Sequence, residues 1–178
     1  MTSMHDKLKT TPGIYLVGFM GCGKTTVGQR LAARLKWDFV DLDDEIESKS
    51  VMKIVDVFDQ LGEPAFRAME RQALLGQVSF VRRGRARVVA LGGGTFVAPG
   101  NRETLEQAGI SVWLKAPVDQ LWERVTKEDQ RPLARDRQAF ETLFEKRVPG
   151  YAKSDFTVQM GSDGPDAVVD EILGLSLF

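Results

Sequence analysis

The stretch Gly18-Phe19-Met20-Gly21-Cys22-Gly23-Lys24-Thr25 decides the fold of this 178-residue chain. It fits the pattern G-x-x-x-x-G-K-[ST], follows an apolar run at residues 14–17 and opens a segment of helical spacing at residues 24–35. Glycines let the loop turn its N–H groups inward, and the positive end of the helix adds to their attraction for a phosphate. We therefore expect Lys24 to reach the β- and γ-phosphates of a nucleotide and the Thr25 hydroxyl to bind Mg²⁺. A glycine-rich turn that binds nothing is the alternative.

The rest of the chain alternates apolar runs with helical patterns. The runs predict strands at residues 14–17, 39–40, 87–91, 111–114 and 156–158. The helical patterns predict helices at residues 24–35, 43–50, 54–61, 63–81, 101–107, 118–125, 138–148 and 165–173. This alternation predicts one domain, residues 13–178, with a parallel sheet covered on both faces. We expect residues 1–12 to form a loose polar tail and the charged stretch at about residues 126–137 to form a mobile lid.

Composition excludes several classes of function. The 24 Lys and Arg nearly balance the 25 Asp and Glu, and this balance provides no field for nucleic acid or an anionic membrane. The one cysteine, Cys22, cannot form an intrachain disulfide, and the one histidine, His5, lies in the predicted tail, which argues against a Ser-His-Asp site. The absence of a long apolar stretch leads us to expect a cytoplasmic protein. Cys22 itself is either a small filler or a thiol whose pKa is lowered by the helix N-terminus.

Two further segments follow predicted strands at the edge where ligands bind in such sheets. Asp41-Leu42-Asp43 sends two carboxylates the same way, so that one can hold waters of Mg²⁺ while the other meets a substrate hydroxyl. The alternative is that Asp43 or Asp44 caps the next helix. Gly92-Gly93-Gly94 is either a loose strand exit or a bare wall that lets the backbone approach a flat ring.

Three arginines stand near these segments. Glu70 follows Arg67 by three residues on one predicted helix, which lets the carboxylate orient the guanidinium. Arg147 ends another predicted helix, and Arg131 lies in the predicted lid, where a closing cation is common in phosphate transfer. A solvated surface charge is the alternative for each. We interpret the basic cluster at residues 82–87 as a solvated turn, since it lacks interleaved aromatic residues.

In this order and spacing the segments resemble shikimate kinases, from residue 14 to about residue 173. The matching segments are Gly18 to Thr25, Phe39-Val40-Asp41-Leu42-Asp43 with Ile46-Glu47, Gly62-Glu63 with Phe66-Arg67 and Glu70, Leu91-Gly92-Gly93-Gly94, Arg131-Pro132-Leu133, and Arg147 with Tyr151. The resemblance implies a three-layer α/β P-loop kinase fold, adenylate-kinase-like, with a five-stranded parallel sheet. It also implies a cytoplasmic monomer of aromatic amino acid biosynthesis that moves the γ-phosphoryl group of ATP to the 3-hydroxyl of shikimate.

The resemblance further implies roles for individual residues. Asp43 would hold the acceptor hydroxyl, Asp41 would help place Mg²⁺ through water, and Arg67 and Arg147 would clamp the shikimate carboxylate. Arg131 would come down onto the phosphates with the lid. The other residues that would bind shikimate are Phe58, Phe66, Gly92, Gly93 and Gly94. Those that would bind ATP are Gly21, Cys22, Gly23, Lys24, Thr25, Thr26, Arg124 and Pro165.

Some positions depart from the family pattern. Cys22 replaces a usual serine or alanine, Val51 a common glycine, Lys53 a small hydroxyl residue, and Gly150 a bulky apolar residue. Two other functions remain open at this point. One is a kinase for another small hydroxy acid such as gluconate, and the other is a regulatory module that binds ATP without an acceptor.

Overall fold

Five parallel strands form one sheet in the computed structural model, which describes residues 13–127 and 136–175. The strands are β1 (Gly13–Val17), β2 (Asp38–Asp41), β3 (Arg87–Ala90), β4 (Ile110–Lys115) and β5 (Phe156–Gln159). They lie side by side in the order β2-β3-β1-β4-β5. The three middle strands are almost wholly buried, as the apolar runs predict for a parallel sheet covered on both faces. The predicted five-stranded parallel sheet is confirmed.

Helices connect the strands and cover the sheet. They are α1 (Lys24–Leu35), α2 (Leu42–Ser50), α3 (Ile54–Arg82), α4 (Asn101–Glu106), α5 (Val118–Lys127), α6 (Arg137–Tyr151) and α7 (Gly164–Gly174). Neighbouring residues of β1 face different layers, because Leu16 packs on Gly28 of α1 whereas the Tyr15 hydroxyl bonds to the Ala108 carbonyl just after α4. The result is the expected three-layer α/β arrangement. Within residues 13–127 and 136–175, no helix has both the length and the apolar character that a membrane crossing requires.

The long helix α3 bends at Gly62. This residue has φ +83°, a left-handed conformation that glycine adopts without the cost of a side chain, and Pro64 follows two residues later. The two helices predicted on either side of Gly62 are therefore present as two segments of one kinked helix. The bend turns the second segment so that Arg67 and Glu70 lie near the carboxyl end of β3.

Several helix boundaries differ slightly from the prediction, and two of these differences have a clear physical reason. The helix α2 begins at Leu42, with Asp41 as its N-cap, so the alternative in which Asp43 or Asp44 caps this helix is wrong. Asp41 takes this place because its backbone is extended (φ −92°, ψ 122°), which lets its side chain reach forward to the first free N–H groups. The helix α6 continues past Pro149 to Tyr151. A proline in the last turn costs little helix stability once the preceding turns are formed.

The junction between α2 and α3 carries two of the departures from the family pattern. Val51 ends α2 with φ +55° and a side chain that is 89% exposed, a strained conformation for a β-branched residue. Lys53 is the N-cap of α3 but makes no side-chain capping bond. Glu47 replaces that cap, because its Oε1 accepts a hydrogen bond from the Ile54 N–H at 3.0 Å while its Oε2 accepts one from Lys53 Nζ at 2.8 Å.

Candidate active site

A cleft of about 520 Å³ opens at the carboxyl ends of β1, β2 and β3. It brings together the three segments that the sequence places after those strands. The lining residues are Met20, Gly21, Gly23, Lys24, Thr25, Thr26, Val27, Asp41, Asp43, Asp44, Leu91, Gly93, Arg124, Met160, Gly161, Gly164 and Pro165. The site is therefore built where the topology of a parallel sheet favours ligand binding.

The loop between β1 and α1 has the geometry of an anion cradle. Gly23 precedes α1 with φ +93° and no side-chain cap, so the first N–H groups of the helix are left to a ligand. The ammonium group of Lys24 donates to the carbonyls of Gly18 (2.8 Å) and Phe19 (3.1 Å) and thus lies along the loop. Cys22 is wholly buried, with its Sγ 3.7 Å from Lys24 Nζ, which fits the small-filler interpretation.

Asp41 links the phosphate loop to α2. Its Oδ2 accepts a hydrogen bond from the Thr25 hydroxyl at 2.6 Å, while its Oδ1 caps α2 by accepting from the N–H groups of Asp43 (3.0 Å) and Asp44 (3.5 Å). The cap fixes the direction of the first turn of α2 and hence of Asp43, which lines the cleft. A hydroxyl and a carboxylate that touch each other at this edge form an oxygen donor set of the kind Mg²⁺ prefers.

The turn of Gly92-Gly93-Gly94 is surrounded by charged groups. A methyl group placed on Gly92 would lie 2.9 Å from Oδ1 of Asp43 and 3.1 Å from Oε1 of Glu70. One placed on Gly94 would lie 2.6 Å from Arg67 Nη1, and one placed on Gly93 would lie 2.9 Å from Arg147 Nη1. The absence of side chains therefore lets two carboxylates and two guanidinium groups converge on one short piece of backbone.

Glu70 holds Arg67 in place. The Arg67 guanidinium donates to Oε2 of Glu70 at 2.8 Å, as the three-residue spacing predicts, and also pairs with Glu63 at 3.4 Å. Glu70 is 1% exposed, and its Oε1 accepts from the Thr95 hydroxyl at 2.6 Å, so the buried carboxylate is fully paired. Burial lowers the pKa of Arg67, but the hydrogen bonds and charges of Glu70 and Glu63 together outweigh that effect and raise the pKa.

Arg147 has different surroundings. It is half-buried near the end of α6, with its guanidinium carbon 5.6 Å from the centre of the Phe19 ring. Among residues 13–127 and 136–175, no carboxylate forms an ion pair with it. A guanidinium held against an aromatic ring and without an acidic partner is suited to bind the carboxylate of a ligand.

The remaining predicted residues lie at the rim or outside the described part of the chain. Phe58 is 37% exposed and stacks on the buried Phe66, with ring centres 4.6 Å apart. Arg124 donates to the Gly21 carbonyl at 3.2 Å, and Pro165 lines the cleft from the start of α7. Arg131, the tail at residues 1–12 and most of the predicted lid lie outside the described residues, although residues 126, 127 and 137 are helical.

Comparison with known proteins identifies the family. The sequence model described as shikimate kinase matches residues 20–175. The chain belongs to the shikimate kinase family. The "Shikimate kinase" of Rhizobium leguminosarum bv. trifolii is 40% identical over 177 residues, which cover 96% of this chain and 88% of that protein. The "Shikimate kinase" of Cereibacter sphaeroides is 43% identical over 158 residues, which cover 87% of this chain and 76% of that protein.

Solved structures of shikimate kinases have the same fold. The structure described as shikimate kinase from Acinetobacter baumannii in complex with shikimate superposes with a TM-score of 0.85 at 36% identity, covering 95% of this chain and 94% of that one. The shikimate kinase of Aquifex aeolicus superposes with a TM-score of 0.79 at 33% identity, covering 90% of this chain and 94% of that one. The expected fold and family are both confirmed.

Sequence reasoning missed Thr95 and gave no role to Tyr151, although Tyr151 belongs to the segments that match the family. Thr95 secures Glu70, and the Tyr151 hydroxyl donates to the Gly93 carbonyl at 2.5 Å. A polar residue directly after the glycine triplet was a signal for Thr95. The role of Tyr151 was not found, because the predicted helix ended at residue 148 and left Tyr151 outside it, whereas the structure continues the helix to Tyr151.

Proposed function

We propose that this chain transfers the γ-phosphoryl group of ATP to the 3-hydroxyl group of shikimate, giving shikimate 3-phosphate and ADP. The observation that carries this proposal is the convergence of Lys24, Asp43 and Gly93 on one cleft. The first of these belongs to the phosphate loop, and the other two belong to the wall where Arg67 and Arg147 also lie. One cleft can therefore hold a triphosphate and an anionic acceptor next to each other.

The nucleotide end rests on backbone donors and one cation. N–H groups at the start of α1 donate hydrogen bonds to phosphate oxygens, and Lys24 leaves the loop carbonyls to meet the β- and γ-phosphates. Arg124 and Pro165 also line the cleft, where they would flank the base. Phosphoryl transfer needs placement and neutralisation of charge more than covalent help from the protein, and these groups supply both.

Thr25 and Asp41 fit a magnesium ion. Their oxygens are 2.6 Å apart at the base of the phosphate loop, and both line the cleft. Thr25 would bind the ion through its hydroxyl and Asp41 would hold one of its waters. A bound Mg²⁺ neutralises charge on the β- and γ-phosphate oxygens during transfer. Asp41 keeps its second oxygen on the α2 cap, so that the cap and the metal position are fixed together.

The acceptor end rests on side chains. Arg67 and Arg147 offer guanidinium forks that match a carboxylate, and both guanidinium groups pack directly on the bare glycine turn. Asp43 accepts a hydrogen bond from the 3-hydroxyl and orients its oxygen toward the γ-phosphorus. As the new P–O bond forms and the bond to the β-phosphate oxygen breaks, the hydroxyl proton passes to Asp43. Asp43 is thus first a positioning group and second a proton acceptor.

The test is coupled ADP release over a panel of acceptors, with wild-type protein, MgATP and shikimate, gluconate or no acceptor. Shikimate is expected to raise ADP release by about 10³-fold or more over the no-acceptor rate. Release with gluconate alone would assign another hydroxy acid, and nucleotide binding without acceptor-dependent release would indicate a regulatory module.

A further inference from the structure

The phenol of Tyr151 lies behind the acceptor wall and outside the cleft. It is wholly buried at the end of α6, and its ring centre is 5.9 Å from that of Trp113. Its hydroxyl donates to the carbonyl of Gly93 at 2.5 Å. Gly93 lines the cleft and Tyr151 does not, so the phenol can act on a ligand only through its neighbours.

The hydrogen bond from Tyr151 restrains the backbone at Gly93. Three successive glycines have the widest choice of backbone conformations of any tripeptide, and no side chain anchors them. A hydrogen bond from a rigid buried ring fixes the plane of one of these peptide groups. Burial raises the pKa of the Tyr151 phenol and the nearby Arg147 guanidinium opposes that rise only in part, which keeps the hydroxyl protonated as a donor.

The last turn of α6 is also docked against the same loop. A methyl group on Gly150 would lie 2.4 Å from Cγ1 of Val97, so the loop packs directly on bare helix backbone. Arg147, Gly150 and Tyr151 share one helix face, because residues three and four apart are neighbours on a helix. A single helical turn therefore carries both an arginine of the acceptor wall and the group that fixes the glycine turn.

We propose that Tyr151 is a positioning residue for the acceptor. Its hydroxyl sets the orientation of the Gly93 peptide and its distance from the Arg147 guanidinium, and thereby shapes the half-site that receives the substrate carboxylate and ring. This inference rests on the proposed function. It predicts that the hydroxyl affects recognition of shikimate and leaves recognition of the nucleotide unchanged.

The chain offers a matched control, because its other tyrosine is also wholly buried. The Tyr15 hydroxyl donates to the Ala108 carbonyl at 3.4 Å, at the end of β1 that is opposite to the cleft. We expect Tyr151→Phe to raise the KM for shikimate by about tenfold while the KM for MgATP changes by less than about twofold. Tyr15→Phe is expected to leave both KM values within about twofold of wild type.

A second pair of variants tests the docking without touching the hydroxyl. Gly150→Ala should push Val97 and the glycine turn away from α6 and raise the KM for shikimate by about fivefold, and adding Val97→Ala should restore part of the loss. The inference is overturned if Tyr151→Phe folds and keeps its KM for shikimate within about twofold of wild type. It is equally overturned if Tyr151→Phe does not fold and Gly150→Ala leaves that KM unchanged. A wild-type protein without shikimate-dependent ADP release would instead refute the proposed function.

Discussion

The two halves of the cleft are built by different means. The nucleotide half comes from one continuous stretch, Gly18 to Thr25, in which backbone N–H groups and a helix terminus provide most of the attraction for phosphate. The acceptor half is assembled from side chains on α2, α3, α6 and the loop after β3, which are far apart in the sequence. Asp41 belongs to both, since one of its oxygens contacts Thr25 and the other caps the helix of Asp43.

This difference separates general binding from specificity. A backbone cradle tolerates changes in many side chains and recognises any nucleotide phosphate, whereas the acceptor wall depends on a few guanidinium and carboxylate groups held by second partners. Variants of the two halves should therefore differ in the kinetic constant that they change. The predictions below run from the largest expected effect to the smallest.

Asp43→Asn removes the proton acceptor at the point where the halves meet. We expect kcat to fall by about 10³-fold, with both KM values changed by less than about threefold, because the amide keeps the shape but cannot take the proton. Steady-state ADP release measures both constants. Asp59→Asn, an exposed aspartate on α3, is the control. Near-full turnover by Asp43→Asn would contradict the proposed role of Asp43 as proton acceptor.

Thr25→Val tests the nucleotide half. We expect about 10²-fold loss of kcat/KM for MgATP and a higher Mg²⁺ requirement, because the variant loses an oxygen donor beside Asp41. Thr25→Ser retains the hydroxyl and should recover most of the activity. A Mg²⁺ titration that is the same in Thr25→Val and wild type would contradict the assignment of the metal to this pair.

Arg67→Lys tests the acceptor half. A single ammonium replaces a fork that Glu70 holds, so we expect the KM for shikimate to rise by about 30-fold while the KM for MgATP stays within about twofold. Arg102→Lys, on the surface helix α4, serves as the control. Equal changes in the KM values for shikimate and MgATP would show that the two halves of the cleft do not bind their ligands independently.

Val51→Gly tests the junction between α2 and α3, which are two of the helices that carry the acceptor half. Relief of the left-handed strain outweighs the extra freedom of glycine in the unfolded chain, so we expect a gain of about 0.5–1 kcal/mol in the free energy of unfolding. The variant Lys36→Gly should gain less stability, because Lys36 also has positive φ but is not β-branched. Urea denaturation measures the free energy of unfolding of both variants. A loss of stability in Val51→Gly would show that the valine makes a contact that offsets its strain.

Glu47→Gln tests the replacement cap at the same junction. The hydrogen bond from Lys53, followed by that from the Ile54 N–H, lowers the pKa of Glu47 below its ordinary value. Its contribution to stability is thus present above the unfolded-state pKa and lost as pH falls through the lower folded-state pKa. Because the carboxylate is partly exposed to solvent, we expect wild type to be more stable than Glu47→Gln by only about 0.5 kcal/mol at pH 7, and this difference to shrink as the pH falls below 4.5. A stability difference between wild type and Glu47→Gln that grows as the pH falls would contradict the lowered pKa of Glu47.

The same division explains what the sequence could predict. Gly18 to Thr25 and the break at Gly62 carry their geometry in local residue types, and both were found from the pattern. The Asp41 cap was not predicted, and Asp43 or Asp44 was only an alternative cap, because three aspartates in four residues offer several capping registers that only the backbone resolves. Tyr151 and Thr95 act through contacts 58 and 25 residues away in the chain, and no local spacing contains that information.

The most direct test of the central claim is identification of the product by ³¹P NMR. Wild-type protein, MgATP and shikimate should yield ADP and a phosphomonoester whose phosphorus couples to the proton on carbon 3 of shikimate. A phosphoryl group on a different hydroxyl would contradict the placement of the acceptor, and inorganic phosphate as the sole new product would contradict transfer itself.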